Sequence, residues 1–215
     1  MPTIARLLIA GAVALLTTAP AAAIDKKIGY HMVEGRISVP PRGFKQFCIT
    51  EKDHCEIYRR AKISETIDLN ALRYQELVKV NSSVNAEIQP IPENFFFASK
   101  DNWKLPLSSG DCEDFVLLKQ ARLIEMGWPA SALLITVVDM QDGTRHAVLT
   151  VRTDSGDLIL DNVTDKVLDW QNVNYRWIKR QSARKMMRWV KIKKGEVPLN
   201  LSAETRSRII QGQII

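Results

Sequence analysis

The stretch that constrains this chain most is Gly110-Asp111-Cys112-Glu113-Asp114-Phe115, which reads as the start of a helix with a cysteine in its first turn. Asp111 stands at the N-cap, acidic residues follow it, Phe115, Leu118, Ala121 and Ile124 recur at helical spacing, and Gly127 is the stop. Asp111 and Asp114 have capping-box spacing, with Asp in place of the usual Glu. A thiol at that end of a helix meets unpaired backbone N–H groups and the positive end of the dipole, both of which favour thiolate. A lone cysteine is more often a small buried apolar residue. The rest of the chain has to decide between the two.

After the helix, strand signals crowd together: Leu133 to Val138, a turn at Gln141-Asp142-Gly143, Arg145 to Thr153, a turn at Asp154-Ser155-Gly156, and Asp157 to Leu160 leading to Asp161. The pattern predicts an antiparallel meander, with Tyr175 to Lys179 and Met187 to Ile192 as two further strands. A nucleophilic cysteine needs a base. His31 lies in an irregular lead-in and His54 between two cysteines, whereas His146 opens a strand, so His146 is the candidate. Its orienting partner is Asp161, a carboxylate that follows the apolar run Leu158-Ile159-Leu160. The hairpin geometry is compatible: a loop over Thr153 to Gly156 pairs residue 152 with 157 and sets Asp161 opposite Val148. Asp161 is then diagonal to His146 on the same face, at a backbone separation of roughly 7–8 Å that two side chains can close. Taken singly, His146 is equally an edge-strand histidine and Asp161 an Asx-turn residue. Cys, His and Asp together, on a helix start and two strands, favour catalysis. Asp111, Glu113 and Asp114 work against a thiolate, since like charge raises a thiol pKa. Protonated His146 or a bound Ca²⁺, which prefers carboxylate oxygens, would offset them.

The N-terminus indicates where such chemistry would happen. Residues 1–23 have a short basic start at Arg6, an apolar run from Leu7 to Leu16, and Ala21-Ala22-Ala23 as a cleavage site, the pattern of a secretory signal. That run is short of the about 20 residues a membrane-spanning helix needs, so stable membrane insertion is not expected. Export gives the cysteine count a meaning. Cys48 and Cys55 are close in sequence and form the natural disulfide pair of an oxidising compartment, leaving Cys112 free. A metal site from Cys48, His54 and Cys55 is the competing reading, but it lacks a fourth ligand at zinc-finger spacing. The chain carries 30 basic and 24 acidic residues, a net charge of +6. Basic residues from Arg176 to Lys194 surround Tyr175, Trp177 and Trp189, as on a nucleic-acid surface. Export argues against that partner and for a solvated strand face, or for contact with anionic envelope material.

The remaining boundaries follow from composition. Residues 24–67 read as an irregular N-terminal segment in which Phe44 and Phe47 anchor to the core, with a weak helix or strand from Ile57 to Ile63. Asp68 is placed to cap a helix from Leu69 to about Ile88 whose Leu69, Leu72, Leu77, Val80, Val84 and Ile88 pack into the core. Pro90 and Pro92 end it. A loop over 93–109 carries Phe95, Phe96, Phe97 and Trp103 over a core edge or along a groove. The core domain spans 68–197, and 198–215 is a C-terminal tail. One domain with a sizeable core suits 215 residues of which 46% are hydrophobic.

Asp101-Asn102-Trp103, Pro106 and Gly110-Asp111-Cys112-Glu113-Asp114-Phe115, together with Arg145-His146-Ala147-Val148-Leu149 and Leu160-Asp161-Asn162, resemble the bacterial transglutaminase-like cysteine proteinases, the group that includes the LapG-like periplasmic proteases. The likeness covers roughly residues 40 to 192, and its specificity lies in the combination of segments. It implies a papain-like or transglutaminase-like α+β fold, with the nucleophile at a helix N-terminus packed on an antiparallel sheet that carries His and Asp. It implies Cys112 as nucleophile, His146 as general base and Asp161 orienting it, with Asp111, Glu113 and Asp114 serving Ca²⁺. It also implies a periplasmic location, a surface adhesin as protein substrate, and an inner-membrane receptor responsive to cyclic di-GMP as regulator. Two other functions fit the same residues. An amidase or transglutaminase would incorporate amines without cleavage, and a catalytically idle adaptor would leave Cys112 unlabelled by a thiol-reactive probe.

Overall fold

A computed structural model describes residues 31–61, 66–91 and 102–193. The expected signal segment, the C-terminal tail and Phe95 to Phe97 lie outside the described residues. In chain order the elements are β1 (Val33–Ser38), α1 (Arg42–Thr50), α2 (Lys52–Arg60), α3 (Ala71–Glu87), β2 (Gln89–Pro90), β3 (Ser109–Gly110), α4 (Cys112–Glu125), β4 (Leu133–Asp139), β5 (Arg145–Thr153), β6 (Gly156–Leu160), β7 (Leu168–Asp169), β8 (Arg176–Ser182) and β9 (Lys185–Lys193). Seven strands form one antiparallel sheet in the order β1-β9-β8-β4-β5-β6-β7, and β2 and β3 form a short parallel pair.

The sheet is covered on both faces because its central strands are apolar on both. Along β5, Ala147, Leu149 and Val151 join the larger core with Leu77, Val84, Phe115, Leu117 and Leu123 from α3 and α4. Val148 points the other way, into a smaller cluster with Met32, Val138, Ile159 and Trp170. β4 has no exposed position at all, which is why it reads as one apolar run from Leu133 to Val138. β4, β5 and β6 form the expected meander, and β8 pairs with the other edge of β4.

The N-terminal segment is not irregular. β1 pairs with β9 from Val33↔Lys193 to Ser38↔Trp189, with a bulge between Glu34 and Ile37. Its partner lies at the far end of the chain, and Ile37 stays 67% exposed, so β1 has no alternating pattern to betray it. α1 and α2 are nine residues each, too short to be stable alone. The Cys48–Cys55 disulfide joins them, with the Cα atoms 5.4 Å apart. Phe44, Phe47 and Tyr58 are buried beneath them, and the Phe44 ring meets Trp189 at 5.3 Å and Trp103 at 5.8 Å. With both sulfurs in the disulfide, the metal reading of Cys48, His54 and Cys55 falls away, and His54 Nε2 instead meets the Tyr58 hydroxyl at 2.9 Å.

α3 begins two residues later than expected. Asn70, not Asp68, is its cap: the Asn70 side chain accepts from the Arg73 N–H at 2.9 Å. Leu77, Val80, Val84 and Ile88 are buried as expected, while Leu72 is 66% exposed. Asn81 and Asn85 stand on the same side of the helix. Their side-chain amides donate to the Thr164 carbonyl, and Asn85 also donates to the Asp161 carbonyl at 3.0 Å. α3 thus carries core packing and an anchor for the turn that follows β6.

Candidate active site

Cys112 is the first residue of α4, as the spacing predicts, but the cap works differently. The Asp111 side chain makes no capping bond. Asp114 supplies the other half of the box, its carboxylate accepting from the Asp111 backbone N–H and, at 2.9 Å, from the Lys104 N–H. Gly110 is required for this fit, because a Cβ there would lie 2.6 Å from the Asp114 Cβ. Burial and the neighbouring Asp111 charge push the Asp114 carboxyl up to about 7.

The Cys112 sulfur is half-buried. Its thiol donates to Glu113 Oε2 at 3.1 Å, and the Ala147 backbone N–H also reaches the sulfur. β5 has no β6 partner before Leu149, and the first turn of α4 meets it at that open stretch. The sulfur therefore lies against the residue that follows His146. Its ionisation runs opposite to the helix-dipole expectation. Burial pushes the thiol well above its ordinary value, the charge and hydrogen bond of Glu113 and the charge of Asp111 add to the effect, and only the Ala147 N–H opposes it. A cysteine in this setting rests as the neutral thiol and needs a base at the moment of attack.

His146 is the second residue of β5, opposite Val138, and is buried. Arg152 pairs with Asp157 and Leu149 with Leu160, the register the hairpin argument requires. The turn is tighter than the four-residue loop suggests, because Thr153 pairs with Gly156 around Asp154 and Ser155. One step past Leu160, Asp161 comes diagonally beside His146, and Nε2 meets Asp161 Oδ1 at 2.8 Å. Asp161 Oδ1 also accepts from the Val163 N–H at 3.1 Å, and Oδ2 accepts from the Tyr175 hydroxyl at 2.7 Å. Burial alone would raise this carboxyl, but the His146 hydrogen bond and charge, with the Tyr175 and Val163 donors, hold it below the usual carboxylate range. With Nε2 committed to Asp161, Nδ1 is the ring nitrogen left to take a proton from a thiol.

Trp103 and the acidic trio stand differently from what the spacing suggests. Trp103 is 4% exposed and packs edge-on against Phe44 and Trp189, so it is core and not a cleft wall. Among the described residues no three His, Cys, Asp or Glu side chains converge as a metal-holding group. Of the acidic trio, Asp114 is tied to Lys104 and Asp111, Glu113 accepts from Cys112, and Asp111 Oδ1 is buried without a hydrogen-bond partner. Tyr175 and Asn85 reach Asp161 without any spacing that marks them. Tyr175 stands in a basic run beyond β7, and Asn85 looks like a polar interruption of an apolar helix face.

These elements define a transglutaminase-like α+β protein: a cysteine at a helix start, set on an antiparallel sheet that carries a paired His and Asp. The family model described as bacterial transglutaminase-like cysteine proteinase matches residues 34–197, and the chain belongs to that family. It is a cysteine proteinase. The match takes in α1, α2 and all of β1 but its first residue. Solved structures of LapG from Legionella pneumophila are similar to it. The calcium-bound form has 23% identity and a TM-score of 0.49, covering 81% of this chain and 93% of that one. A second LapG structure has 25% identity and a TM-score of 0.46, covering 67% and 77%. The EGTA-treated form has 22% identity and a TM-score of 0.46, covering 69% and 84%. A comparison with curated proteins finds no match.

Proposed function

We propose that this protein is a periplasmic cysteine endopeptidase that cuts an exported or surface protein, with Cys112 as nucleophile, His146 as base and Asp161 as its orienting partner. The observation that carries the reading is the 2.8 Å bond from His146 to Asp161, made one residue from the backbone N–H that meets the Cys112 sulfur. As Cys112 Sγ bonds to the scissile carbonyl carbon, its proton passes to His146 Nδ1, and Asp161 stabilises the imidazolium through Nε2. The Cys112 backbone N–H, at the first turn of α4 where N–H groups have no intrahelical partner, donates to the developing oxyanion. His146 returns the proton to the leaving amine, the carbon–nitrogen bond breaks to a thioester, and water releases the acid.

The Cys48–Cys55 disulfide supports an oxidising compartment, as does the signal-like run at residues 1–23. Among the described residues no helix is long and apolar enough to cross a membrane. A surface adhesin as substrate and an inner-membrane receptor responsive to cyclic di-GMP as regulator belong to the same reading. Its test is incubation of wild type and Cys112→Ala with exported surface proteins. Fragments are expected from wild type alone, and identical patterns from both would reject it.

Asp111, Glu113 and Asp114 are the residues that would hold Ca²⁺. The buried, unpaired Asp111 Oδ1 and the all-oxygen donor set suit a hard cation, although the three carboxylates do not converge as they stand. When bound, the ion would supply positive charge beside Cys112 and lessen the hold of Glu113 and Asp111 on the thiol proton. Calcium is expected to raise the melting temperature of wild type by several degrees, and that of Asp111→Asn little. Equal melting curves with calcium and with chelator would remove the ion from the reading.

A further inference from the structure

We propose that Tyr175 is a positioning residue for the reaction, fixing Asp161 through its hydroxyl and closing one side of His146 with its ring. The proposal rests on the reading of Cys112, His146 and Asp161 given above. Tyr175 stands immediately before β8, where its N–H donates to the Val173 carbonyl at 3.0 Å. The next residue, Arg176, pairs with Asp139 in the sheet and bonds to its carboxylate, so the backbone on both sides of Tyr175 is held. Its hydroxyl donates to Asp161 Oδ2 at 2.7 Å. Its ring stands edge to face with His146 at 5.8 Å and 72°. Behind it, Trp177 lies 6.4 Å from Tyr175, and Trp170 lies 5.9 Å from Trp177, so a run of aromatic contacts backs the imidazole on the sheet face opposite the helices.

The chemistry of the carboxylate says why this matters. Val163 and His146 both bond to Asp161 Oδ1, so these two donors share one oxygen and neither holds Oδ2. The Tyr175 bond holds Oδ2 as well, so the carboxylate's last torsion is restrained from both oxygens while Oδ1 faces Nε2. The phenol remains a donor through the working pH range, because burial, with Asp161 as acceptor, pushes its ionisation above the ordinary tyrosine value. The ring adds a second restraint, limiting rotation of the imidazole on the side it covers.

The test compares wild type, Tyr175→Phe, Tyr175→Leu and Cys112→Ala in one cleavage assay, with kcat, KM, thermal melting and the pH profile of kcat/KM from about pH 3 to 9. Tyr175→Phe keeps the ring, so it is expected to melt near wild type and keep its KM while kcat falls about tenfold, the ordinary cost of losing a partner of a functional side chain. Its acid limb is expected to move to higher pH, since Asp161 loses one of the donors that hold its carboxyl down. Tyr175→Leu loses the ring as well and is expected to fall further in kcat. An unchanged kcat and pH profile in Tyr175→Phe overturns the proposal, and so does lost activity that follows lost melting temperature with no shift of the acid limb. Should Tyr175→Leu fail to fold, Tyr175→Phe alone decides. Cleavage surviving in Cys112→Ala would sink the nucleophile reading itself, whereas inactive Cys112→Ala beside unaltered Tyr175→Phe sinks only the role of Tyr175.

Discussion

Replacing His146 by alanine is expected to lower kcat/KM for cleavage by about 10³-fold or more, the usual cost of losing the base of a nucleophile. The loss should be that large because burial, Glu113 and Asp111 all favour the neutral thiol, with only the Ala147 N–H opposing them, so the proposed attack needs a base. The loss should also fall on kcat, since the imidazole acts on the proton in transit and not on bound substrate. Asp161→Ala is expected to reduce activity by a similar order and to destabilise the fold more than His146→Ala does. It leaves the His146, Tyr175 and Val163 donors facing a buried site without their acceptor, and each unsatisfied group costs roughly 1–3 kcal/mol. The wild-type carboxylate contributes its stability above the ordinary carboxylate range. That contribution is lost only as pH falls through the lower value of the folded state, so the two melting curves should approach each other only in strong acid. Steady-state kinetics and thermal melts of both variants check this. A His146→Ala enzyme within tenfold of wild type would mean another group takes the proton.

Lys119→Met is expected to stabilise the protein by a few kcal/mol, about 5–10 °C in melting temperature. Lys119 sits in α4, two turns beyond Cys112, and is fully buried. Its Nζ has no hydrogen-bond partner and lies 5.9 Å from the Phe115 ring. Burial pushes its pKa down to about 7 from the ordinary 10.5, against the charges of Asp161 and Asp165. Below about pH 7 both the folded and the unfolded chain hold the proton, and the cost of burying the cation is complete. Between about 7 and 10.5 only the unfolded chain holds it, so stability rises with pH and the cost fades. The gain from methionine, which fills the space without a charge, should therefore be largest at pH 6 and small by pH 10. Denaturant melts at those two pH values measure it, and a gain independent of pH would show that Lys119 is not buried as a cation.

What could be read from the chain tracks how local each stabilising interaction is. α4 and the three strands after it carry their own signals: a cap residue, apolar spacing and turn dipeptides. Hairpin parity alone sufficed to put Asp161 beside His146. β1, α1 and α2 gave no such signal, because β1 is held by β9 and the two short helices by a disulfide and by Trp189, all supplied from elsewhere. The ionisation of Cys112 is legible only in part, for a related reason: the opposing carboxylates stand in the sequence but the burial does not. The helix dipole is written in the local sequence, but the burial that outweighs it is set by the packing of α4 on β5. The bond of Tyr175 to Asp161 is not legible because β7 and a short turn separate the two, and nothing in that interval fixes where its side chain arrives.

Sulfur, imidazole and carboxylate acting as one unit can be tested before any substrate is in hand. The rate of Cys112 alkylation by iodoacetamide at neutral pH should fall at least about tenfold in His146→Ala relative to wild type, because in the proposed relay His146 draws the proton from an otherwise neutral thiol. Equal rates in the two proteins would show that the thiol ionises without the histidine, and would contradict the relay.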